Sequence, residues 1–182
     1  TAVGNVFFVD SGSTTRADTP AHGKRPDKPF STIDYALSQC TANNGDVIVV
    51  KPGHVETISA AGSLTVDVAG VTIMGMGQGK TRPILDFTAT AGTVEMDAAN
   101  CALVNLQLRA NVSAVVVGIN VDAHDVELAG LYFTWDATGD DFVTMIDITA
   151  FDRTFIHDSV FETENAAGGA EAPHGIADGD RA

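Results

Sequence analysis

One phrase of alternating apolar residues recurs four times along the chain, beginning at Leu64, Val94, Ile119 and Ile146. Each copy has two apolar residues at alternating positions, a short turn containing Asp, Asn or Gly, and a second alternating pair. The second halves begin at positions 71, 101, 126 and 154, so the repeat length is 25 to 30 residues. Alternation with a period of two is typical of strands, and a strand unit of this length must stack on its neighbours to bury its apolar side. The repeat therefore predicts a solenoid of strands.

The turn inside each copy ends at a comparable residue. These residues are Gly70, Asn100, Asp125 and, with one extra residue in the last turn, Asp152 or Arg153. Gly, Asn and Asp tolerate the left-handed backbone conformation that a sharp bend between strands requires. We therefore expect these residues to form a column at one corner of the solenoid.

The stretch GMGQGKT, residues 75–81, looks at first like a loop that binds phosphate. The nucleotide-binding pattern G-x-x-x-x-G-K-[ST] requires a glycine where this chain has Met74. Pro83 and the β-prone residues after it also argue against the helix that should follow. Alignment with the other copies places the three glycines at the second corner of the solenoid, so we interpret them as bends.

A different pattern precedes the repeats. Ser31–Asp34 has the form of a capping box, and Ile33, Ala36, Leu37 and Cys40 recur at helical spacing. The helix should end at Asn43-Asn44-Gly45, and an apolar strand and a Pro-Gly turn follow. Because a bare terminal coil exposes strand edges and core, we expect this amphipathic helix to cap the open N-terminal end of the solenoid.

The run PFSTIDYALSQCTANNGDVIVVKPGHVET, residues 29–57, resembles the N-terminal segment of proteins in the pectate-lyase-like superfamily. In these proteins a capping helix leads to a GD-x-I-x-V-x-PG strand and turn. The resemblance extends over residues 29–165 and implies a right-handed parallel β-helix. The expected fold class is thus all-β, a solenoid of about four to five coils with an N-terminal amphipathic capping helix.

We interpret residues 1–182 as a single domain. Residues 1–53 would hold the first strand, the capping helix and the first coil, and residues 54–165 the repeated coils. Residues 166–182 are polar and rich in Gly and Ala, and are expected to be an uncapped tail or the start of a further coil.

Charge limits the partners. The chain has 24 acidic and 10 basic residues, for a formal net charge of −14, which repels nucleic acid and anionic membrane surfaces. Neither a signal peptide nor a run of about 20 apolar residues is visible. Cys40 and Cys101 fall at positions that we expect to face the core, which does not favour a disulfide or a metal site.

The segment WDATGDD is the candidate ligand site. Trp135 offers an aromatic platform for a sugar ring, and Asp136, Asp140 and Asp141 offer carboxylates for a glycan or for Ca²⁺. The alternative is a solvated acidic turn. No cofactor is predicted beyond this Ca²⁺ alternative, and no catalytic residues are assigned, because the motifs of polygalacturonase-like hydrolases and of lyases are absent.

Strand alternation also predicts an exposed apolar stripe. If Val115, Val117 and Ile119 point inward, Val116 points outward, and by the same count Val143 and Met145 point outward one coil later. Ala61 and Ala91 match Val116 in earlier coils, and Tyr132 faces outward beside them. An aligned stripe suggests a packed seam. We therefore predict a homo-oligomer interface at Val116, Tyr132, Val143 and Met145; the alternative is that a segment of the same chain covers the stripe.

The superfamily includes polysaccharide lyases and hydrolases, phage tailspikes and non-enzymatic virion proteins. Within it, the segments TIDYAL and CTANNGD of this sequence most resemble β-helix proteins of tailed phages. The resemblance implies a structural virion protein, such as a capsid decoration, head-fibre or spike-like protein, made in the host cytoplasm. It would be a homo-oligomer, by resemblance a trimer, would contact other virion proteins such as a capsid protein, and would present loops to a glycan. The alternative is a carbohydrate-active enzyme, a lyase or hydrolase, or a glycan-binding module.

Overall fold

The computed structural model describes residues 4–148, 153–162 and 174–178, the last of these as backbone alone. Over these residues the chain forms an all-β parallel solenoid of about four turns with very little helix. Each turn contributes one strand to each of three parallel sheets. The parallel solenoid predicted from the repeat is therefore confirmed, whereas its handedness stays a prediction.

The strands fall into three sets. Sheet 1 contains β1 (Val6–Val9), β2 (Val47–Val50), β5 (Thr72–Gly75), β8 (Ala102–Val104), β11 (Val126–Ala129) and β14 (Thr154–His157). Sheet 2 contains β3 (Val55–Ile58), β6 (Ile84–Phe87), β9 (Gln107–Ala110), β12 (Tyr132–Trp135) and β15 (Val160–Phe161). Sheet 3 contains β4 (Leu64–Val66), β7 (Val94–Met96), β10 (Val115–Val121), β13 (Phe142–Ile148) and β16 (His174–Asp178).

The repeated apolar residues stack directly on one another inside the solenoid. In sheet 1, Ile73 pairs with Leu103, and Leu103 pairs with Leu128. All three side chains are fully buried. Burial of a side chain of this size contributes about 1.5–3 kcal/mol. The core is thus built from columns that each coil extends by one residue.

The predicted column of left-handed residues lies at the corner before sheet 1. Gly70, Asn100, Asp125 and Arg153 have φ angles of 77°, 60°, 58° and 70°. Backbone hydrogen bonds link neighbouring members, as from Gly70 N to Ala99 O at 3.0 Å. In the last turn the left-handed residue is Arg153, and its alternative, Asp152, lies outside the described residues. This prediction is confirmed at all four turns.

The stretch at residues 75–81 forms bends, as expected. Gly75 ends β5, and a short 3-10 turn at Gly79–Thr81 leads into β6, with no helix after it. Asn105, at the same corner one coil later, donates its side-chain amide to Gly75 O at 2.8 Å and to Gly77 O at 2.9 Å. Met76, the residue after Gly75, is exposed where the chain leaves the corner into the loop before β6.

Helix α1 is short, spanning Ile33–Ser38. Its N-cap is Thr32, whose Oγ1 accepts from Tyr35 N at 3.2 Å, so the predicted capping box beginning at Ser31 is displaced by one residue. Ile33, Ala36 and Leu37 are buried against β1, β2 and β4. The expectation that this helix caps the solenoid stays a prediction. Among the described residues, no helix is long and apolar enough to cross a membrane.

Two buried carboxylates fasten the N-terminal segment. Asp46, fully buried, accepts hydrogen bonds from Asn5, from the Thr41 backbone at 2.7 Å and from Asn44 at 2.7 Å. Glu56 accepts from Ile33 N at 3.0 Å and contacts His54 Nε2 at 2.8 Å. Both loops that flank α1 are therefore tied to the first coil.

Candidate functional site

The outer face of sheet 2 carries the candidate site. Side chains in these strands alternate between the core and the outer face, so that each outward position is stacked on its equivalents in neighbouring coils. One outward column contains Val55, Ile84, Gln107, Tyr132 and Val160. A second column, two residues further along each strand, includes Thr57, Asp86, Arg109 and Thr134.

A groove of about 700 Å³ runs over this face. The loop between β5 and β6 forms one wall and contributes Gly79, Lys80 and Arg82. The strands contribute Ile84, Gln107, Tyr132, Thr134 and Val160. The groove thus combines an aromatic ring, an amide, hydroxyl groups and two cations, which is the mixture of apolar and polar groups found in ligand sites.

Arg82 and Tyr132 define the cationic part of the groove. The Arg82 guanidinium lies 5.6 Å from the centre of the Tyr132 ring, a cation–π arrangement. Arg82 Nε is buried and has no hydrogen-bond partner within the described residues. A hydrogen bond to Glu162 raises the pKa of Tyr132 above its ordinary value. Tyr132 therefore remains a neutral phenol at neutral pH.

Beside the groove, Arg109 lies between two carboxylates. Its Nε donates to Asp86 Oδ1 at 2.8 Å, and a terminal nitrogen of its guanidinium contacts Asp136 Oδ1 at 2.9 Å. The hydrogen bond to Asp86 raises the pKa of Arg109, and Asn111 donates to the other oxygen of Asp86 at 3.2 Å. These charges are compensated among themselves and hold adjacent coils in register.

The four residues predicted as a glycan site have separate partners in the structure, and the site itself stays a prediction. Trp135 is half-buried and packs against the core. Asp136 pairs with Arg109, Asp140 accepts from Ala137 N at 3.2 Å, and Asp141 accepts from Ala114 N. Each carboxylate is therefore engaged by a different partner.

Metal ligation stays untested. Within the described parts of the chain, no three or more His, Cys, Asp or Glu side chains are grouped so that they could hold a metal ion. Cys40 and Cys101 are free thiols. Cys101 is buried as predicted, and Cys40 is half-buried, with burial raising the pKa of its thiol to about 12.

Of the predicted interface residues, Val116 and Val143 are exposed, as are the matching Ala61 and Ala91. Tyr132 is half-buried and lines the groove. The predicted outward position of Met145 is wrong, because this side chain is 1% exposed and belongs to the core. Alternation breaks in β13, where Met145 and Ile146 are both buried, and in its partner β10, where Gly118 and Ile119 are both buried.

Sequence reasoning missed the groove. The alternation of Gln107 with Leu108, and of Tyr132 with Phe133, indicated outward polar and aromatic positions. Their stacking with Ile84 follows from the strand pairing, and Arg82 reaches them only because the β5–β6 loop folds over the sheet. The sequence pattern therefore indicated the outward residues of the strands, but it did not indicate that the β5–β6 loop forms a wall of the groove.

Comparisons with known proteins support the fold alone. Neither a family model nor a curated protein matches the chain. A solved structure named rhamnogalacturonan lyase superposes with a TM-score of 0.55 at 13% sequence identity. The similarity covers 96% of this chain and 50% of the lyase chain, so this chain spans about half the length of that protein. The chain thus has a parallel β-solenoid fold similar to that of this lyase.

Proposed function

We propose that this chain is a glycan-binding parallel β-helix that holds a polysaccharide along the outer face of sheet 2 without cleaving it. The observation that carries the proposal is the groove, in which Tyr132, Gln107 and Thr134 lie next to the cations of the β5–β6 loop. A groove open along stacked strands suits an extended chain of sugars better than a compact ligand. The fold similarity to a rhamnogalacturonan lyase agrees with a carbohydrate ligand.

The cations point to sugars that carry carboxylates. Lys80 and Arg82 both line the groove, in a molecule whose formal net charge is −14. Arginine forms charge-assisted hydrogen bonds with carboxylates, and the buried Nε of Arg82 is a donor without a partner among the described residues. A uronic acid in the groove would supply the missing acceptor.

Binding is favoured over cleavage because, among the described residues, the acids beside the groove are each engaged with another side chain, as Glu162 is with Thr134 and Tyr132. A lyase or hydrolase needs a group that accepts or donates a proton next to the scissile bond. Asp86 and Asp136 are paired with Arg109, and the raised pKa of Tyr132 disfavours its use as a base. The predicted carboxylates near Trp135 are separately engaged.

The test is a calorimetric titration of the full chain with acidic and with neutral polysaccharides. We expect an acidic polysaccharide to bind, and Tyr132→Ala and Gln107→Ala to weaken binding at least about tenfold, roughly 1.4 kcal/mol. Asp140→Ala is the matched control from the Trp135 loop and should bind like the native chain. No appearance of unsaturated or reducing sugar products is expected.

Two results would contradict this proposal. Loss of binding in Asp140→Ala but not in Tyr132→Ala would move the site to the Trp135–Asp141 loop. If circular dichroism shows a folded protein and no polysaccharide binds to it, the proposed glycan-binding function is wrong.

A structural role in a phage virion is the second candidate. It is favoured by the exposed column of Ala61, Ala91, Val116 and Val143, which continues over four coils. In this candidate the column packs copies of the chain into a trimer that decorates a capsid or forms a fibre, helix α1 caps the N-terminal end, and the groove presents a site for surface glycans.

A further inference from the structure

The outer face of sheet 1 is largely apolar and lies on a different sheet from the groove. On its first four strands, β1, β2, β5 and β8, the outward residues are all uncharged. The apolar ones with the larger side chains are Val6, Phe8, Val47, Val49, Met74 and Val104. Val6 is 43% exposed and Met74 is 37% exposed. Phe155 extends the surface on β14 and is 62% exposed. We call this surface the sheet 1 face.

Charge distinguishes the sheet 1 face from the other two. The outer face of sheet 2 carries Asp86 and Arg109, and the outer face of sheet 3 carries Glu95 and Asp147. On the sheet 1 face the charged residues Glu127 and His157 lie only toward the β14 end, and they contact one another at 3.0 Å. Among the described residues, the sheet 1 face is therefore the sheet surface with the longest run of adjacent strands whose outward side chains are uncharged, namely β1, β2, β5 and β8.

The uncharged strands of the sheet 1 face favour a second copy of this chain as the partner. Two copies that each carry a formal charge of −14 repel one another wherever acidic surfaces meet. Contact through uncharged strands avoids that repulsion and removes apolar side chains from water. We propose that the sheet 1 face binds a second copy of this chain through the same face, in an antiparallel two-fold arrangement.

The two-fold arrangement follows from the layout of the face. Met74 lies on β5, near the middle of the six strands, whereas Glu127 and His157 lie toward one end. An antiparallel pairing places Met74 close to the two-fold axis and keeps the Glu127 of each copy away from that of the other. Closed two-fold contacts of this kind are the commonest in soluble homo-oligomers.

The size of the face sets the strength of the contact. Six strands spaced by about 4.8 Å, each about 13 Å long, cover roughly 300 Å². A standard stable interface buries about 800 Å² on each partner. The sheet 1 face alone supplies less than half of this, so the dimer should be reversible and should depend on protein concentration.

The experiment is sedimentation equilibrium of the full chain over a concentration series at low and moderate salt. We expect a monomer–dimer equilibrium that strengthens with salt, because salt screens the repulsion between acidic copies. Met74→Asp should weaken dimerisation at least about tenfold, as a buried unpaired charge is costly. Val143→Asp, an equally exposed apolar residue on sheet 3, is the matched control and should dimerise like the native chain. Circular dichroism checks the fold of both variants.

A gain-of-signal variant gives a second readout. Met74→Cys should form a disulfide-linked dimer on mild oxidation, whereas Val143→Cys should not. Because the sheet 1 face and the groove lie on different sheets, Met74→Asp should bind polysaccharide with native affinity, and the two proposals can fail separately. A native chain that is monomeric at every concentration would overturn the dimer. So would an oligomer that Val143→Asp dissociates and Met74→Asp does not.

Discussion

At Gly75 the neighbouring coil leaves no room for a side chain. A Cβ atom built on Gly75 would lie 2.2 Å from Asn105 O and 3.0 Å from Leu106 Cδ2. The first of these atoms is backbone and belongs to the left-handed turn at Asn105, whose side chain also bonds to Gly75 O. Neither partner can move without loosening the corner that both coils share.

We therefore predict that Gly75→Ala lowers the free energy of unfolding by about 1–3 kcal/mol, the usual cost of overpacking. Gly12→Ala is the control, because a Cβ there meets only Asp10 Oδ1 at 3.4 Å, an ordinary contact. Urea unfolding of both variants measures the difference. A Gly75→Ala chain as stable as Gly12→Ala would mean that the corner relaxes more easily than the contacts suggest.

At the scale of elements, Asp46 joins the loop after α1 to the first coil. Burial of its carboxylate would raise its pKa, but hydrogen bonds from Thr41, Asn5 and Asn44 outweigh burial and hold the pKa below its ordinary value. A carboxyl whose pKa is lower in the folded chain stabilises the fold above its unfolded pKa of about 4. This contribution is lost as the pH falls through the lower, folded-state pKa.

We predict that Asp46→Asn destabilises the chain at neutral pH by at least about 2 kcal/mol, because an amide cannot accept from both sets of donors. The difference between native and variant stability should shrink as the pH falls below about 4 and through the lowered pKa of Asp46, where the native carboxyl becomes protonated too. Thermal unfolding across this pH range measures it. A stability difference that stays constant with pH would show that the charge of Asp46 is not what fastens the loop.

At the scale of the whole molecule, the solenoid is a stack in which each coil contacts only its neighbours. In sheet 1, β8 pairs with β5 and β11, whereas β14 pairs with β11 alone among the described strands. Stability in such stacks is distributed by position, and terminal units open first. The two ends also differ in their described contacts, since α1 and the loop after it contact the N-terminal strands and Asp46.

Hydrogen exchange should therefore show a gradient along the stack. We predict that the backbone amides of β14 exchange at least about tenfold faster than those of β8, because fewer neighbouring strands must separate. Mass-spectrometric hydrogen exchange on the full chain at concentrations below dimerisation measures both strands. Equal protection of β8 and β14 would indicate that the stack unfolds as a single cooperative unit.

Much of the fold was predictable because its determinants are local and repeated. The spacing of Ile73, Leu103 and Leu128 fixed which residues stack, and Gly70, Asn100 and Asp125 marked one corner. Strict alternation failed in β13, where Met145 and Ile146 are both buried, so Met145 was predicted on the wrong side. The candidate site was less predictable, since Trp135 and its three neighbouring carboxylates share a segment of sequence but have separate partners in space.

The sequence by itself determined the parallel stack, its core columns and its corners, because each coil repeats the same apolar period and the same turn residues. Only the tertiary structure decided which outward columns form a groove, because Arg82 and Tyr132 are 50 residues apart and meet through a loop that folds over sheet 2. It also decided that four adjacent strands of sheet 1, β1, β2, β5 and β8, share an uncharged outer face. The physical reason is that outward side chains lie on separate coils, far apart in the sequence. They form one continuous surface only when the strands pair in register.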